Sequence, residues 1–288
     1  MPEGDTVWRT ARRLHQALAG EVVTLSDLRF PSVATTDLRG ATTTEVVARG
    51  KHLLHRLDSG LTLHSHLRME GQWRIETVER AAGWMRSPTL RAAVGTARWV
   101  ALGLRLGMLD VVATTDEATL VGHLGPDLLG PDWDPHRAAA NLAGADQPIG
   151  AALLDQRRLA GVGTVWASEA LFLERLGPWA PASTLGAPQL ASLVERVHRL
   201  IQGATAGVVQ SSTGSSRRGE TTYVHGRSGR PCRRCGTTVR VAPIGEPMRE
   251  RTMFYCPGCQ GGLGPTDDGR PQGPLGSGAE RRGPYRRG

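Results

Sequence analysis

The sequence predicts an α+β protein with several domains, and three observations support this prediction. Apolar residues recur at helical spacing over residues 5–19, and residues 21–124 then form short runs rich in Val, Leu and Thr, which are typical of strands. Beyond about residue 135 the pattern becomes helical, with Ala and Leu recurring on one face. Four cysteines near the C-terminal end form a separate small module.

The first predicted domain covers residues 1–124 and is mostly β, with one helix at its start. The helix is predicted over residues 5–19 from the apolar positions Val7, Ala11, Leu14 and Leu18. The clearest strand patterns that follow are Val46-Val47, Leu53-Leu54 and Leu61-Thr62-Leu63. The turn signal Asp58-Ser59-Gly60 separates two of them.

A linker over residues 125–135 is predicted from Gly-Pro pairs at 125–126 and 130–131. A helical domain is predicted over residues 136–223, with a loop rich in Gly, Ser and Thr over residues 204–222. Its expected helices lie near residues 136–143, 148–155, 165–174 and 187–203. The cysteine module covers residues 224–260, and the tail over residues 261–288 is predicted to be disordered because it has almost no large apolar residues.

The charge balance favours a polyanionic partner. The 288 residues include 35 Lys plus Arg against 27 Asp plus Glu, a net charge of +8. Nine arginines and three glutamates lie between residues 217 and 251, so most of this excess is concentrated there. Nucleic acid is the first candidate for such a basic chain. We find no long apolar run and no signal-peptide pattern, and we expect a cytoplasmic protein, associated with the nucleoid.

The cysteine spacing predicts a zinc site. Cys232 and Cys235 form one Cys-x-x-Cys pair, and Cys256 and Cys259 form the other. Two such pairs can close a tetrahedron of thiolates around one zinc ion, and disulfides are the weaker explanation in a reducing compartment. Because four cysteine ligands leave no open position for water, one structural Zn²⁺ per chain is expected.

The N-terminus is a candidate nucleophile. Proline at position 2 is small enough for removal of Met1, and the chain would then begin with a secondary amine. Such an amine attacks an aldehyde-like carbon to give an iminium. The carboxyl group of Glu3, one residue away, is suited to move protons. Pro2 and Glu3 are therefore the first candidate catalytic residues.

Lys51 is the single lysine of the chain, against 34 arginines. Arginine is planar and always charged, whereas lysine is a compact point charge that can release its proton. A lone lysine in an arginine-rich chain therefore indicates a position where a guanidinium would not serve. We treat Lys51 as the third candidate catalytic residue.

Several motifs in register resemble the bacterial formamidopyrimidine-DNA glycosylase / endonuclease VIII family of base-excision repair enzymes. The resemblance covers roughly residues 1–260. Its segments are Met1-Pro2-Glu3-Gly4, Arg49-Gly50-Lys51-His52-Leu53-Leu54, His66-Leu67-Arg68-Met69-Glu70-Gly71, Leu124-Gly125-Pro126-Asp127, Leu153-Leu154-Asp155-Gln156, Leu159-Ala160-Gly161-Val162-Gly163-Thr164, Ala167-Ser168-Glu169-Ala170-Leu171-Phe172 and Arg251-Thr252-Met253-Phe254-Tyr255-Cys256. It implies an N-terminal β-sandwich with a flanking helix, followed by a helix–two-turn–helix domain with a four-cysteine zinc ribbon.

The resemblance also implies an activity and roles for residues. The activity would be that of a bifunctional DNA glycosylase and abasic-site lyase that excises oxidised bases through a Schiff base at Pro2, with β- and δ-elimination. Glu3 would move protons, and Lys51 would hold a phosphate beside the lesion. The partner would be damaged double- or single-stranded DNA, bound by a monomer. The residues expected to contact DNA are Arg68, Met69, Arg157, Gly163, Thr164 and Arg251.

Three departures from the family pattern bear on the activity and the residue roles that the resemblance implies. Thr164 stands where the family usually has Asn, and a hydroxyl reaches less far than an amide. Residues 108–116 lack the Asp-x-Arg-x-Phe-Gly segment of the formamidopyrimidine branch, which favours the endonuclease VIII branch and oxidised pyrimidines. Glu70 adds a negative charge near DNA that the sequence does not explain. The alternatives are a purine glycosylase of the formamidopyrimidine or 8-oxoguanine type and a non-catalytic DNA-binding relative.

Overall fold

The computed structural model describes residues 2–274, which divide into two units. The first unit contains the described residues up to Asp134 together with Gln156–Gly161, and the second contains Pro135–Asp155 and the described residues from Val162 onward. The predicted boundary at residue 124 differs from this division. The amide of Gly125 donates to the carbonyl of Gln156 at 2.9 Å, and these linker contacts place residues 156–161 in the first unit.

The first unit contains helix α1 (Gly4–Leu18) and two four-stranded antiparallel sheets. One sheet has the order β1–β6–β7–β5, and the other has the order β2–β3–β4–β8. The strands are β1 (Leu25–Leu28), β2 (Thr43–Arg49), β3 (His52–Leu57), β4 (Leu61–His66), β5 (Gln72–Thr77), β6 (Leu90–Gly95), β7 (Trp99–Leu104) and β8 (Met108–Ala113). The strand patterns predicted near residues 46, 53 and 61 lie in β2, β3 and β4.

Apolar side chains from both sheets and from α1 form one core. Val7, Ala11, Leu14 and Leu18 of α1 are buried there, as their helical spacing predicted. The core also includes side chains of both sheets, such as Leu53, Leu63, Val94 and Ala101. The indole of Trp73 on β5 donates a hydrogen bond to the Ser65 hydroxyl on β4 at 3.0 Å. The predicted β-sandwich with a flanking helix is therefore confirmed.

Two short helices follow strands of the sandwich. Helix α2 (Val78–Ala81) and the turn that follows it lie on the sheet of β6 and β7, where Trp84 packs against a second apolar cluster. Helix α3 (Ala118–Val121) follows β8 after a 3-10 turn. Glu117 at its start accepts hydrogen bonds from Arg56 and from the Thr62 hydroxyl. That face of the second sheet therefore carries polar side chains.

The second unit is helical, as predicted. Its helices are α4 (Pro135–Ala143), α5 (Ile149–Leu154), α6 (Thr164–Leu173) and α7 (Ala187–Thr205). All residues of helix α6 except Leu173 are buried, and Trp166 and Phe172 are completely buried. A helix that is buried on every side lies in the centre of its domain. Helices α5 and α7 pack against it.

Glu169 is a buried carboxylate in the middle of α6. It accepts hydrogen bonds at 2.8 Å from the backbone amides of Tyr223, Val224 and His225, and a further one from the Ser212 hydroxyl. Burial raises the pKa of this carboxyl, and the four donors offset the cost of its desolvation. This one side chain therefore holds to α6 both Ser212, in the middle of the predicted loop over residues 204–222, and the segment directly after that loop.

The cysteine module is a two-stranded ribbon of β9 (Arg240–Ile244) and β10 (Arg251–Tyr255). The structure contradicts the predicted disorder of the tail for residues 261–274. Asp267 is paired with Arg240 and accepts a hydrogen bond from the Tyr255 hydroxyl at 2.5 Å. Gln272 donates to the carbonyl of Val241 at 2.8 Å. Buried polar contacts order this segment although it is poor in apolar residues; the rest of the predicted disordered tail lies outside the described residues.

Candidate active site

The chain enters the first unit through Pro2, Glu3 and Gly4. Pro2 is half-buried, and Glu3 is completely buried in the position before the first residue of α1. The Gly4 amide donates a hydrogen bond to the carbonyl of Gly161 at 2.9 Å. A Cβ atom at Gly4 would lie 3.0 Å from the Gly161 Cα, so glycine is the residue that fits this close approach.

Lys51 lies in the two-residue turn between β2 and β3, directly after Gly50. Gly50 has a φ of +58°, and a Cβ atom there would lie 3.1 Å from the Cβ of Ala160. The turn therefore packs on Ala160, while the N-terminal residues pack on its neighbour Gly161. Gly4, next to Pro2 and Glu3, and Gly50, next to Lys51, therefore meet at one short segment although they are far apart in sequence.

Asp127 holds this arrangement together, and the sequence had indicated it only as part of a linker motif. Its carboxylate accepts hydrogen bonds from the Gly50 amide at 2.7 Å and from the Leu129 amide at 3.1 Å. Burial raises the pKa of Asp127, while the two amides and nearby Arg49 favour the charged form. Its position directly after a Gly-Pro pair was the only signal that could have pointed to it.

A row of histidines begins next to Lys51. No motif in the sequence had indicated these histidines. His52 Nδ1 lies 2.8 Å from His64 Nε2, and His64 Nδ1 lies 2.9 Å from a carboxylate oxygen of Asp110. The rings of His52 and His66 meet edge to face, with centroids 4.9 Å apart. Alternate positions on paired strands share a face, so His52, His64, His66 and Asp110 lie on one side of the second sheet.

The loop over residues 67–71 presents Arg68, Met69 and Glu70. Met69 is 66% exposed, which is unusual for a large apolar side chain without a partner in the core. Arg68 has a φ of +51°, and its amide donates to His66 Nδ1 at 2.9 Å. Glu70 lies 4.0 Å from Arg105, which gives the unexplained carboxylate a partner of opposite charge.

The predicted DNA-binding residues near the two turns differ in exposure. Arg157 is exposed and belongs to the first unit. Gly163 and Thr164 stand at the N-terminus of α6 in the second unit, with Gly163 as the capping residue. Thr164 is only 3% exposed. Backbone amides at a helix N-terminus suit an anion, but Gly163 and Thr164 are both buried in this structure.

Arg251 is exposed at the first position of β10, paired with Ile244 beside the hairpin turn. Several other arginines of the basic segment donate hydrogen bonds to groups of the second unit. They are Arg227, Arg233, Arg234 and Arg240, which donate to Pro231, Gly219, Phe172 and Asp267 respectively. Part of the charge excess predicted from this segment is therefore used in contacts within the unit, and such contacts are not visible in a charge count.

The four cysteines are close enough to hold one metal ion. Their sulfur atoms all lie within 4.8 Å of one another, with Cys235 and Cys256 at 3.4 Å and Cys232 and Cys259 at 4.0 Å. A zinc ion with Zn–S bonds of about 2.3 Å holds its four sulfur atoms about 3.8 Å apart. All four thiols are free of disulfides in the described chain, so the donor set fits tetrahedral zinc.

Comparison with known proteins adds a family to this geometry. The N-terminal domain model of formamidopyrimidine-DNA glycosylase matches residues 1–99, and its H2TH domain model matches residues 124–215. A Streptomyces coelicolor protein named probable endonuclease 8 2 is 51% identical over 274 residues, covering 94% of this chain and 98% of its own. The Mycolicibacterium smegmatis DNA-(apurinic or apyrimidinic site) lyase Nei2 is 44% identical and covers 90% of this chain and 99% of its own.

The fold has counterparts among solved structures. The Lactococcus lactis formamidopyrimidine-DNA glycosylase bound to DNA with an abasic site has a TM-score of 0.76 and 23% identity, covering 90% of this chain and 99% of its own. At this identity the similarity shows the fold alone. Within residues 2–274, no helix is both long and apolar enough to cross a membrane.

Proposed function

This chain belongs to the formamidopyrimidine-DNA glycosylase family, and on that premise we propose that it is a bifunctional DNA glycosylase and abasic-site lyase. The observation that carries the proposal is the junction at Ala160–Gly161. There Gly4, which directly follows Pro2 and Glu3, and Gly50, which directly precedes Lys51, pack on one segment of backbone. A nucleophile, a proton carrier and a compact cation are thereby available to one substrate.

The nucleophile is the amine of Pro2 after removal of Met1. An α-amine has a pKa of about 7.7–8.0, so a usable fraction is neutral at neutral pH. Its nitrogen attacks C1′ of the damaged nucleotide, the bond from C1′ to the base breaks, and the sugar ring opens. The product is an iminium that joins C1′ to the protein. Loss of a proton from C2′ then expels the 3′ phosphate, and a second elimination expels the 5′ phosphate.

Glu3 moves the protons in this sequence. Its side chain is completely buried next to Pro2, so bulk water does not compete for the proton that it carries. The carboxyl can protonate the sugar-ring oxygen as the ring opens and is then a base for a later step. The backbone hydrogen bond from Gly4 to Gly161 keeps this residue at the start of α1.

Lys51 holds a phosphate next to the lesion. Its turn is fixed by the hydrogen bond from Gly50 to Asp127, so the lysine extends from a rigid hairpin end. A compact ammonium can approach a phosphate oxygen as a point charge and can also release a proton. Lys51→Arg should therefore lower the excision rate strongly although the charge is unchanged.

The remaining site residues bring DNA to this junction. The target base has to leave the duplex before its C1′ atom can be reached, and the exposed Met69 would fill the vacated space beside Arg68. Arg157 and Arg251 would bind phosphates, together with the backbone at Gly163 and Thr164. We infer that the partner is damaged DNA in double- or single-stranded form, bound by a monomer at the nucleoid.

One zinc ion per chain would be held by Cys232, Cys235, Cys256 and Cys259. Its contribution is structural, because four thiolates complete the tetrahedron and leave no position for a water molecule. The ribbon that carries Arg251 at its turn would thereby be held in one conformation. Removing the metal should weaken DNA binding and leave the chemistry at Pro2 intact.

The substrate is proposed to be an oxidised pyrimidine, as expected for the endonuclease VIII branch. This branch is supported by the missing Asp-x-Arg-x-Phe-Gly segment and by the names of the relatives at 51% and 44% identity. The test is excision from end-labelled duplexes that contain thymine glycol, 5-hydroxyuracil or 8-oxoguanine opposite cytosine. We expect the pyrimidine lesions to be excised faster, with phosphate left on both ends of the gap. Preference for 8-oxoguanine would overturn the branch, and binding without excision would favour the non-catalytic alternative.

A further inference from the structure

Residues 261–274, which we call the strap, run along the edge of β9 that faces away from β10. The side-chain amide of Gln272 accepts a hydrogen bond from the Val241 amide and donates one to the Val241 carbonyl, both at 2.8 Å. The hydroxyl of Thr266 donates to the carbonyl of Pro243 at 2.6 Å. Alternate residues of a strand direct their backbone groups to the same edge, so Val241 and Pro243 both face the strap. The strap therefore takes the place of a third strand and does so through its side chains.

Asp267 fixes the strap to both strands of the ribbon. Arg240 and Tyr255 lie opposite each other in the pairing of β9 with β10. The carboxylate of Asp267 accepts hydrogen bonds from the Arg240 guanidinium at 2.6 Å and from the Tyr255 hydroxyl at 2.5 Å. Its side chain is completely buried, and the hydrogen bond from Arg240 lowers the pKa of Asp267 to about 2. The carboxylate is therefore charged at neutral pH and shielded from water.

Two glycines allow the strap to lie close to the rest of the second unit. A Cβ atom at Gly264 would lie 2.6 Å from the indole of Trp179, and one at Gly229 would collide with the backbone of the strap. The Gly264 amide also donates a hydrogen bond to the Tyr255 hydroxyl at 3.1 Å. The strap is therefore closely packed near both of its ends.

The strap supports the ribbon on the side opposite α6. Strand β10 packs on α6, where the Phe254 amide donates to the Ser168 hydroxyl at 3.2 Å. The four cysteines flank the ribbon at the end away from its turn. A two-stranded ribbon is only marginally stable by itself, so the free edge of β9 needs a partner. The strap holds β9 as far as Pro243, which pairs with Thr252, the neighbour of Arg251. Its support therefore extends toward the exposed arginine.

We propose that the strap is a positioning element for DNA binding: it holds β9 in place beside β10, so that Arg251 is fixed where it can meet a phosphate. The inference rests on the proposed function, which assigns Arg251 to a phosphate. A side chain on a rigid support loses less conformational freedom on binding. Charge alone predicts the opposite effect, because removal of an acidic side chain strengthens the binding of a polyanion. The sign of the change therefore separates positioning from charge.

The first test is hydrogen exchange of the ribbon in the full-length protein. The amides of Ala242 and Ile244 face β10, because those of the alternate residues face the strap. In Asp267→Ala and in Gln272→Ala both amides should exchange at least about fivefold faster, since alanine cannot replace the lost hydrogen bonds. Asp268→Ala is the matched control, because the Asp268 side chain is 61% exposed. Native exchange rates in both strap variants, or an equal rise in the control, would overturn the inference.

The second test is DNA binding by the zinc-loaded protein. Asp267→Ala should weaken binding to a duplex with an abasic-site analogue about fivefold, which is the effect of one ordinary hydrogen bond. The single-turnover excision rate at saturating DNA should change less than about twofold. The slope of log Kd against log salt concentration should fall by about one, as for the loss of one phosphate contact. Asp268→Ala should not weaken binding. Unchanged or tighter binding by Asp267→Ala would overturn the inference.

A double-mutant cycle with Arg251→Ala identifies the point of action. If the strap acts through Arg251, Asp267→Ala should change the Kd less than about twofold in the Arg251→Ala background. An equal loss in both backgrounds would contradict the inference, because the strap would then act elsewhere. Absence of DNA binding by the native protein would instead count against the proposed function, while hydrogen exchange would still decide whether the strap holds the ribbon.

Discussion

Three histidines, of which His55 is buried and His52 and His66 are partly buried, should make the first unit sensitive to mild acid. Burial lowers the pKa of His55 and of His66 to about 4 and that of His52 to about 3, whereas an ordinary solvent-exposed histidine has a pKa of 6.5. Between the pKa of each histidine in the folded chain and its pKa in the unfolded chain, the unfolded chain binds protons that the folded chain does not. Stability is therefore complete above the unfolded pKa and is lost progressively as the pH falls below it.

The magnitude follows from the shifts. For an imidazole with a pKa of 6.5 unfolded and about 4 folded, acidification from about pH 7 to about pH 5 costs about 2 kcal/mol. Three such groups together cost about 6 kcal/mol, which is comparable with the whole stability of a typical domain of about 5–15 kcal/mol. We expect hydrogen exchange of the β3 and β4 amides, corrected for intrinsic rates, to show this loss.

A variant at one histidine tests whether protonation of these side chains causes the loss of stability in acid. His55 Nε2 lies 2.9 Å from the Thr43 hydroxyl, and glutamine at this position can keep a hydrogen bond without taking up a proton. His55→Gln should remove about one third of the acid sensitivity. His136→Gln, at an exposed position of the second unit, should leave it unchanged. An unfolding free energy that is constant from about pH 7 to about pH 5 would show that the pKa values of these histidines are not lowered by folding.

Three further predictions concern the tail, the N-terminus and the metal site. Asp267→Asn should weaken the docking of residues 261–274 by about 2 kcal/mol, because a charged hydrogen bond to Arg240 is lost, and faster exchange of the Gly264 amide would report it. Gly4→Ala should lower the excision rate about tenfold or more, because its Cβ displaces the N-terminus from Gly161, and an unchanged rate would argue against the junction. Chelation should release one zinc per chain and unfold the ribbon around Cys256, measured by metal analysis and circular dichroism.

Periodicity predicted the elements of this fold well, because it reflects burial along a single element. The spacing of Val7, Ala11 and Leu14 predicted α1, and the apolar runs near Leu53 and Leu63 predicted core strands. The tail was the clearest error. The ion pair of Asp267 with Arg240 holds this segment in place without apolar side chains. The composition of the segment does not reveal such a contact.

The chemical groups of the site could be predicted from the sequence, but their arrangement in space could not. Pro2, Glu3 and Lys51 could be selected by their chemistry, and the cysteine pairs by their spacing. The backbone contact from Gly4 to Gly161 could not be predicted, because it joins two glycines far apart in sequence and has no side-chain signal. The row from His52 to Asp110 depends on strand register, which apolar patterning near Leu54 does not specify by itself.

The Pro2 amine is proposed to form the covalent bond to DNA. Borohydride trapping on an oligonucleotide with an abasic site, followed by peptide mapping, locates this bond. We expect one adduct at Pro2 in protein that has lost Met1, and no adduct when Met1 is retained or a tag precedes it. An adduct at Lys51, or no adduct with the trimmed and zinc-loaded protein, would show that Pro2 is not the nucleophile.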